Sequence, residues 1–424
     1  MKVLALADIH LRGGFGTEEA EALLKCVDIA KARKVDLVLV NGDVFEAASN
    51  PEQRLVFREF LDRLVDTDPP NPSVIVLRGN HDQPRELMLW QAHHAMVSVY
   101  EVPGTEWLNN DKDFLQVLTI PHFNAGAIAL EESDLGSLND EGTSVFDRIL
   151  DDYFQKVRTH EGPSLVAFHG TVSGAHLDNG HIPRENGIHL NLDRLNTLGC
   201  PVVGGHYHRC QNVASDIGGQ VWYSGSLTRQ TYGESEGDKG VLLFEYTGGQ
   251  WAEPEFISLN PTPMMLVDAE WNSTADNDFW IARINGQPVD CSLYEARFGP
   301  VDTMNLHQFV GARVRFRYTV HQHDVATVPS REEIQAIFPN SREVKIEQVV
   351  QVATAVRCEE MTQAESVEDC FRVWAEAKGE NVERVNAALT LLSCLGAETP
   401  VKNMSENIPG LFPEGQKELA THAV

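Results

Sequence analysis

The chain has 424 residues, 42% of them hydrophobic and 23% charged. That is ordinary globular composition and excludes a wholly disordered, collagen-like or coiled-coil protein. The length suits two or three domains, which bury about three quarters of their unfolded surface and need no disulfides to hold together. With 34 basic and 62 acidic residues the net charge is -28, which taken alone argues against a nucleic-acid partner, because phosphate binding draws on basic surface. Salt confines that charge to roughly 8 Å, so a local patch or a bound cation overrides it.

No apolar run reaches the ~18 residues of a membrane span. The start, Met1 to His10, is too short in apolar residues for a signal peptide and is interrupted by Asp8. The seven cysteines (Cys26, Cys200, Cys210, Cys291, Cys358, Cys370, Cys394) are scattered and form no CxxC pair, which speaks against a disulfide framework or a zinc ribbon. These features place the protein in a cytoplasm.

Val3 to Ala7 is a short apolar run. Thr17 is positioned to cap a helix carrying Leu23, Leu24, Val27 and Ile29 and ending near Lys34. Val35 to Val40 is a second apolar run, stopped by Asn41-Gly42. Pro51 to Val65 reads as a helix with Leu55, Phe57, Phe60, Leu61 and Leu64 on one side, and Val74 to Leu77 as a third strand. Helices between buried strands predict an α/β sheet with covering helices. Residues 115 to 258 are richer in strands: Leu115 to Ile120, Leu165 to Phe168, Val202 to Val203, Val221 to Ser224 and Val241 to Tyr246. Ser173 to Asn196 has little periodicity and reads as a surface loop. Asn260-Pro261-Thr262-Pro263 marks a boundary. Beyond it, Arg313 to Val320, a helix starting at the capping box Ser330 to Glu333, and Val344 to Val350 make a compact βαβ unit. Two helices follow, Ser366 to Lys378 and Asn381 to Leu395.

The chemistry gathers where strands end. Asp8-Ile9-His10 closes the first, Asn41-Gly42-Asp43 the second, Gly79-Asn80-His81-Asp82 the third, Phe168-His169-Gly170 a fourth and Gly205-His206-Tyr207-His208 a fifth. In extended chain residues i and i+2 share a face, so the Asp8/His10 and His206/His208 pairs each point one way. Open α/β sheets carry their sites at these carboxyl ends. The mixed nitrogen and oxygen set suits Mn, Fe, Zn or Ni and is too rich in nitrogen for calcium. Seven donors exceed the needs of one ion; two ions sharing a carboxylate, which activate water for attack on phosphorus, fit better. Each motif alone has an ordinary reading as a cap, a turn or a core histidine, and it is their conjunction at successive strand ends that points to a dinuclear metallophosphoesterase. His321-Gln322-His323-Asp324 lacks such partners and reads as a solvated strand end, as do His93-His94 and the loop residues His176, His181 and His189 as surface histidines.

These motifs resemble the calcineurin-like phosphoesterase superfamily. Gly42-Asp43-Val44-Phe45, His169 to Ala175, and Tyr223-Ser224-Gly225-Ser226 with Glu234 and Lys239-Gly240 are similar to the SbcD-type DNA repair nucleases, in motif detail over about residues 1 to 260 and as architecture to about 395. The resemblance implies a metallophosphoesterase β-sandwich flanked by helices (1–260), a small βαβ capping, DNA-binding domain (261–355), a helical partner-binding segment (356–396) and a polar, mobile tail (397–424). It implies that Asp8, His10 and His208 hold one ion, that Asp43 bridges, and that Asn80, His169 and His206 hold the other. The ions are two divalent metals, manganese first and magnesium second. His81 then contacts the scissile phosphate and assists the leaving oxygen, with Asp82 orienting it. The implied activity is exonuclease and endonuclease hydrolysis of DNA alongside an SbcC-like coiled-coil ATPase, as a homodimer, in a bacterial cytoplasm or, for a phage-encoded chain, that of the host.

The sequence also departs from that pattern. Glu46 stands where many relatives carry Asp or His, which bears on the exonuclease share. With so acidic a chain, DNA affinity leans on the partner and on Arg12, Arg78, Arg85, Arg184, Arg209 and Arg229 near the motifs. Leu87-Met88-Leu89-Trp90 is either core or a homodimer seam. Phe371, Trp374, Val385 and Leu389 form apolar stripes suited to docking a coiled coil. The rival readings are a phosphodiesterase or phosphatase acting on nucleotides or phosphoproteins, and a non-catalytic scaffold. The βαβ unit, the helical tail and the Tyr223 to Gly240 segment argue against the first, and the full ligand set with His81 against the second.

Overall fold

The computed structural model describes residues 1–65, 71–110, 113–122, 138–177, 189–234, 237–273, 278–288, 309–351, 371–373, 375–376 and 378–395. The chain forms two compact units, Met1–Val349 and Val350–Val424. No helix among the described residues is long and apolar enough to cross a membrane.

The first unit is built on strands that are apolar on both faces. In β1 (Lys2–Leu6), β2 (Leu37–Asn41) and β3 (Ser73–Leu77), the alternate residues Val3, Ala5, Leu37, Leu39, Ile75 and Leu77 face a second sheet. There they meet Leu115 and Val117 of β6 (Phe114–Ile120), Leu165 and Ala167 of β7 (Ser164–His169) and Val203 of β8 (Val202–Gly205). The intervening Leu4, Leu6, Val38, Val40, Val74 and Val76 pack under α1 (Glu18–Arg33) and α2 (Pro51–Val65), against Leu23, Val27, Phe57, Phe60 and Leu61. Each fully buried side chain contributes about 1.5–3 kcal/mol, so the alternation fixes the register of both layers.

Seven strands form the first sheet, in the order β12-β11-β1-β2-β3-β4 with β13 also on β11, where β4 is Val97–Tyr100, β11 Gly240–Thr247, β12 Gln250–Trp251 and β13 Glu255–Ser258. Six form the second, β5-β6-β7-β8-β10-β9, where β5 is Gly104–Asn109, β9 Gln211–Asn212 and β10 Val221–Tyr223. The central strands β1 to β4 run parallel, as do β6, β7, β8 and β10. The helices have clear local causes. Thr17 caps α1, with Glu18, Glu19 and Glu21 in its first turn and Lys31 and Arg33 in its last, each complementing the helix dipole. Asn50 and Gln53 exchange side-chain and backbone bonds ahead of α2, and Pro51 opens it. Leu87 and Trp90, at α3 (Met88–His93), are in the core, whereas Met88 and Leu89 are exposed. A 22-residue helix, α4 (Leu138–Thr159), sets Leu150 and Tyr153 on the second sheet in a stretch that reads from sequence as strand-rich. Part of the predicted loop from Ser173 is a short helix, α5 (Leu192–Asn196).

The βαβ unit is part of something larger. Its strands β17 (Arg313–His321) and β18 (Glu343–Gln351), with α6 (Arg331–Ala336) between them, belong to a five-stranded sheet, β16-β15-β14-β17-β18. The other strands are β14 (Met264–Ser273), β15 (Asp278–Ile284) and β16 (Gln287–Pro288). This sheet has its own core around Trp271, Trp280, Phe316 and Phe338. Glu18 ties it to α1, accepting from the Thr262 N–H at 2.7 Å and pairing with Arg313 at 3.3 Å. In the second unit the described helix is α7 (Val382–Leu395), where Leu389 is buried and Val385 half-buried. Trp374 and the tail 397–424 lie outside the described residues.

Candidate metal centre

Beyond β1 and β2 the chain keeps its parallel pairing. The N–H groups of Asp8, His10 and Leu11 donate to the carbonyls of Gly42, Asp43 and Val44 at 3.0–3.1 Å. This aligns Asp8 and His10 beside Asp43. Asp8, His10, Asp43 and His206 have φ values of 49°, 49°, 51° and 110°, a region that costs a non-glycine residue of order 1–3 kcal/mol. Four such residues among the candidate donors mean that the surrounding fold aims these side chains. Glycines make room for them. A Cβ on Gly42 (φ +86°) would lie 2.2 Å from His169 Nδ1, and one on Gly79 2.1 Å from Asp43 Oδ1.

All seven predicted donors converge. Ligand atoms of Asp8, His10 and His208 lie within 4.8 Å of one another, as do those of Asp8, Asp43 and His169. Asn80 Oδ1 is 3.0 Å from His169 Nε2 and 2.9 Å from His206 Nδ1. Asp43 stands between the two sets, its Oδ2 3.4 Å from His169 Nε2 and 3.9 Å from His10 Nε2.

The donor set fits cations. His208 Nδ1 donates to Glu234 Oε1 at 3.1 Å and His169 Nδ1 to the Asn41 carbonyl at 2.7 Å. Glu46 Oε2 lies 3.0 Å from His10 Nδ1, off the direction of a full hydrogen bond but close enough to favour the proton there. With these tautomers, assigned from the contacts, each neutral ring turns its Nε2 lone pair into the site. The Nε2 atoms of His10 and His208 then face each other at 3.2 Å, and His169 Nε2, which donates toward Asn80 Oδ1 and Asp43 Oδ2 while its ring is charged, turns a lone pair to the same place once the ring is neutral. Opposed lone pairs repel, and a cation between them turns the repulsion into ligation.

Charge in the site is strongly coupled to burial. Burial lifts Asp8 to about 6, and it pushes His10 down to about 4 and His206 to about 3. Burial would also raise Asp43, but His169 and the bond from the His81 N–H hold it well below the usual carboxylate range. Burial opposes the charge on His169 too, yet the Asp43 and Asp8 carboxylates bring it up to about 9.

His81 is beside this centre, its ring edge-to-face with His10 at 4.9 Å and its Nδ1 donating to the Glu46 carbonyl at 2.9 Å. Asp82 does not orient it. The Asp82 carboxylate is buried and accepts from the N–H groups of Phe45 and Gly79 at 3.1 and 2.9 Å, so it staples the second and third loops together. Burial, with Asp43 nearby, raises it to about 7. Arg229 is likewise not a free cation: its guanidinium donates to the carbonyls of Glu234, Gly237, Pro261 and Thr262. Arg12 pairs with Glu46 at 3.1 Å, Arg85 and Arg209 are exposed, Arg78 Nε is buried with no hydrogen-bond partner among the described residues, and Arg184 lies outside them. No motif marks His122. It follows β6, and its ring is 6.2 Å from that of His169, a placement set by the N–H bond to the Arg78 carbonyl at 2.8 Å. Away from the centre, His321 and His323 stack on each other, and His93 and His94 meet Asp62 at 3.7 and 2.7 Å, their ligand atoms within 4.8 Å of one another and His94 half-buried.

Comparison with known proteins adds the family. The family described as Calcineurin-like phosphoesterase matches residues 1–210. The chain is 25% identical over 309 residues to the D subunit of the nuclease SbcCD from Escherichia coli (strain K12), covering 66% of this chain and 74% of that protein. It is 25% identical over 306 residues to the corresponding protein of Bacillus subtilis (strain 168), covering 66% and 75%. Among solved structures, TT1561 of Thermus thermophilus aligns at 17% identity over 57% of this chain and 93% of that one, with a TM-score of 0.34. The chain therefore carries a calcineurin-like metallophosphoesterase domain, has homologues in the D subunits of the SbcCD nucleases of E. coli and B. subtilis, and is a metal-dependent hydrolase.

Proposed function

We propose that the protein is a DNA nuclease subunit that hydrolyses phosphodiester bonds at a dinuclear metal centre and works with an SbcC-like ATPase. The observation that carries this reading is Asp43, standing between two sets of donors. Asp8, His10 and His208 would hold one ion, and Asn80, His169 and His206 the other, with Asp43 shared. Two divalent ions, manganese first, supply activated water and neutralise charge on the phosphate when bound. The chain's own residues do the rest. Asp43 Oδ1 accepts the His81 N–H at 2.8 Å and so fixes the catalytic loop to the shared ligand. The Glu46 carbonyl accepts a hydrogen bond from His81 Nδ1–H, which orients the ring and leaves Nε2 as the nitrogen that would serve the leaving oxygen.

The DNA substrate and the ATPase partner are supported by the relatives, whose names are those of a nuclease subunit. The homodimer is supported by exposed Met88 and Leu89 beside buried Trp90, whereas Leu389 of the C-terminal stripe is buried and offers no free docking face. The test is cleavage of end-labelled linear duplex DNA with Mn²⁺, Mg²⁺ or EDTA, with and without an SbcC-like partner. Manganese-dependent cutting is expected. Hydrolysis of a phosphodiester dye with no DNA cutting, even with the partner present, would overturn the nuclease reading and leave a phosphodiesterase of small substrates.

A further inference from the structure

We propose that the buried Glu234–Lys239 pair is the positioning device for His208. It fixes which ring nitrogen carries the proton and where the ring stands, and so sets the affinity of the half-site of Asp8, His10 and His208 for a divalent ion. The inference rests on the metal-centre reading above.

His208 is gripped twice. Glu234 Oε1 accepts from its Nδ1 at 3.1 Å, and Lys239 Nζ donates to its backbone carbonyl at 2.8 Å. The two gripping groups hold each other, Glu234 Oε2 lying 2.9 Å from Lys239 Nζ with side chains 5% and 1% exposed. Glu234 Oε2 also takes the Gln230 N–H at 3.1 Å. A carboxylate and an ammonium so deeply placed are expensive to desolvate unless their bonds are complete, and here they are completed on His208. The opposite ligand, His10, has a looser version of the arrangement: Glu46 paired with Arg12, with side chains 38% and 43% exposed. The firm side of the half-site is therefore His208.

The turn that bears Glu234 is itself anchored. Arg229 Nε donates to the Glu234 carbonyl at 3.1 Å, while its Nη1 reaches the carbonyls of Pro261 and Thr262 at 3.2 Å, immediately ahead of β14. The Arg315 guanidinium of β17 stands 6.0 Å over the Tyr232 ring in the same turn. His208 is thus held by a turn that is tied, through Arg229 and Tyr232, to the chain entering the five-stranded sheet and to β17 of that sheet.

The test has two parts. In metal-free full-length protein with ¹⁵N-labelled histidine, two-bond ¹H–¹⁵N correlation reads the tautomer of His208, assigned from the H208Q spectrum. The Nδ1–H form is expected in wild type, and a shift toward Nε2–H in E234A. Calorimetric titration with MnCl₂ then compares wild type, E234A and E234Q, each confirmed folded by its thermal melt. One of the two Mn²⁺ steps should weaken by about 10–100-fold in E234A, and E234Q, which keeps an acceptor oxygen, should recover part of that loss. An Nε2–H tautomer in wild type, unchanged Mn²⁺ affinity in folded E234A, or E234Q as weak as E234A overturns the proposal. If E234A does not fold, the wild-type tautomer and E234Q decide. Wild type that takes up no Mn²⁺ overturns the metal-centre reading itself, while the tautomer still tests the grip on His208.

Discussion

His169 Nε2 and Asp43 Oδ2 stand 3.4 Å apart in a space closed to solvent, their side chains 0% and 2% exposed. Without a metal this is an imidazolium–carboxylate pair, because the carboxylates keep His169 charged up to about 9. The folded value lies above the ordinary 6.5, so the stabilisation from this pair is complete below pH 6.5 and is lost as pH rises through about 9. Ligation requires the neutral ring. Manganese affinity of the metal-free protein should therefore tighten with rising pH, about tenfold per unit for each proton displaced, and level off near 9. Calorimetry in two buffers of different ionisation heat counts the proton released; an affinity flat from pH 6.5 to 9 contradicts the assignment.

On the proposed reading His81 acts on the leaving oxygen without holding an ion. His81→Ala should lower DNA hydrolysis by about 10²–10⁴-fold and leave both Mn²⁺ binding steps as they are. Parallel loss of metal would show that the ring belongs to the ligand set instead.

Gly79 is set against Asp43 so closely that a Cβ would lie 2.1 Å from Oδ1 and 2.2 Å from the backbone nitrogen. Gly79→Ala should cost about 1–3 kcal/mol in urea denaturation and abolish Mn²⁺ uptake. Gly199→Ala, where the added Cβ meets open space but φ is +73°, is strained without touching the centre and serves as the control that loses some stability and keeps its metal.

Two arginines that look alike in sequence should behave oppositely. Arg229→Ala removes donors to four backbone carbonyls and should lower the melting temperature, at a cost of about 1.5–3 kcal/mol, with no change in the salt dependence of DNA binding. Exposed Arg209, next to His208, should instead flatten the plot of log affinity against log salt by about one unit when replaced by Ala. Equal slopes for the two variants would remove Arg209 from the DNA surface.

The donor set was legible because it stands at the ends of apolar runs. Asp8, Asp43, Asn80, His169, His206 and His208 all sit one to a few residues beyond a strand core, and parallel strands bring such positions to one edge. The roles of Asp82, Glu46 and Arg229 were not legible. Asp82 and Arg229 are decided in part by backbone atoms far away in sequence (Phe45 for Asp82, Pro261 for Arg229), which leave no mark in a residue pattern, and Glu46 by the side chains of Arg12 and His10 that the fold sets beside it. His122 has no motif around it and enters the site only because β6 lies beside β7. The helix α4 did carry a signal, since Phe146, Ile149, Leu150, Tyr153, Phe154 and Val157 repeat at helical spacing. The strand β14 was hidden by the turn-rich Asn260–Pro263 just ahead of it.

The donors come from two different sheets. Asp8, Asp43 and Asn80 follow strands of the seven-stranded sheet, and His169 and His206 belong to strand ends of the six-stranded one. Between the sheets the core is apolar, and at the end away from the donors it is closed by Trp251 Nε1 donating to the Ser164 carbonyl and Asn110 donating to Asp36. Ions held at the carboxyl edge would add a rivet through both layers at the end opposite the Met1–Asp113, Asn110–Asp36 and Trp251–Ser164 contacts. On the proposed reading, the donors to the ions would then also set the alignment of the sandwich at that edge, and chelation should be felt first as faster amide exchange along the last residues of β1, β2, β3 and β7.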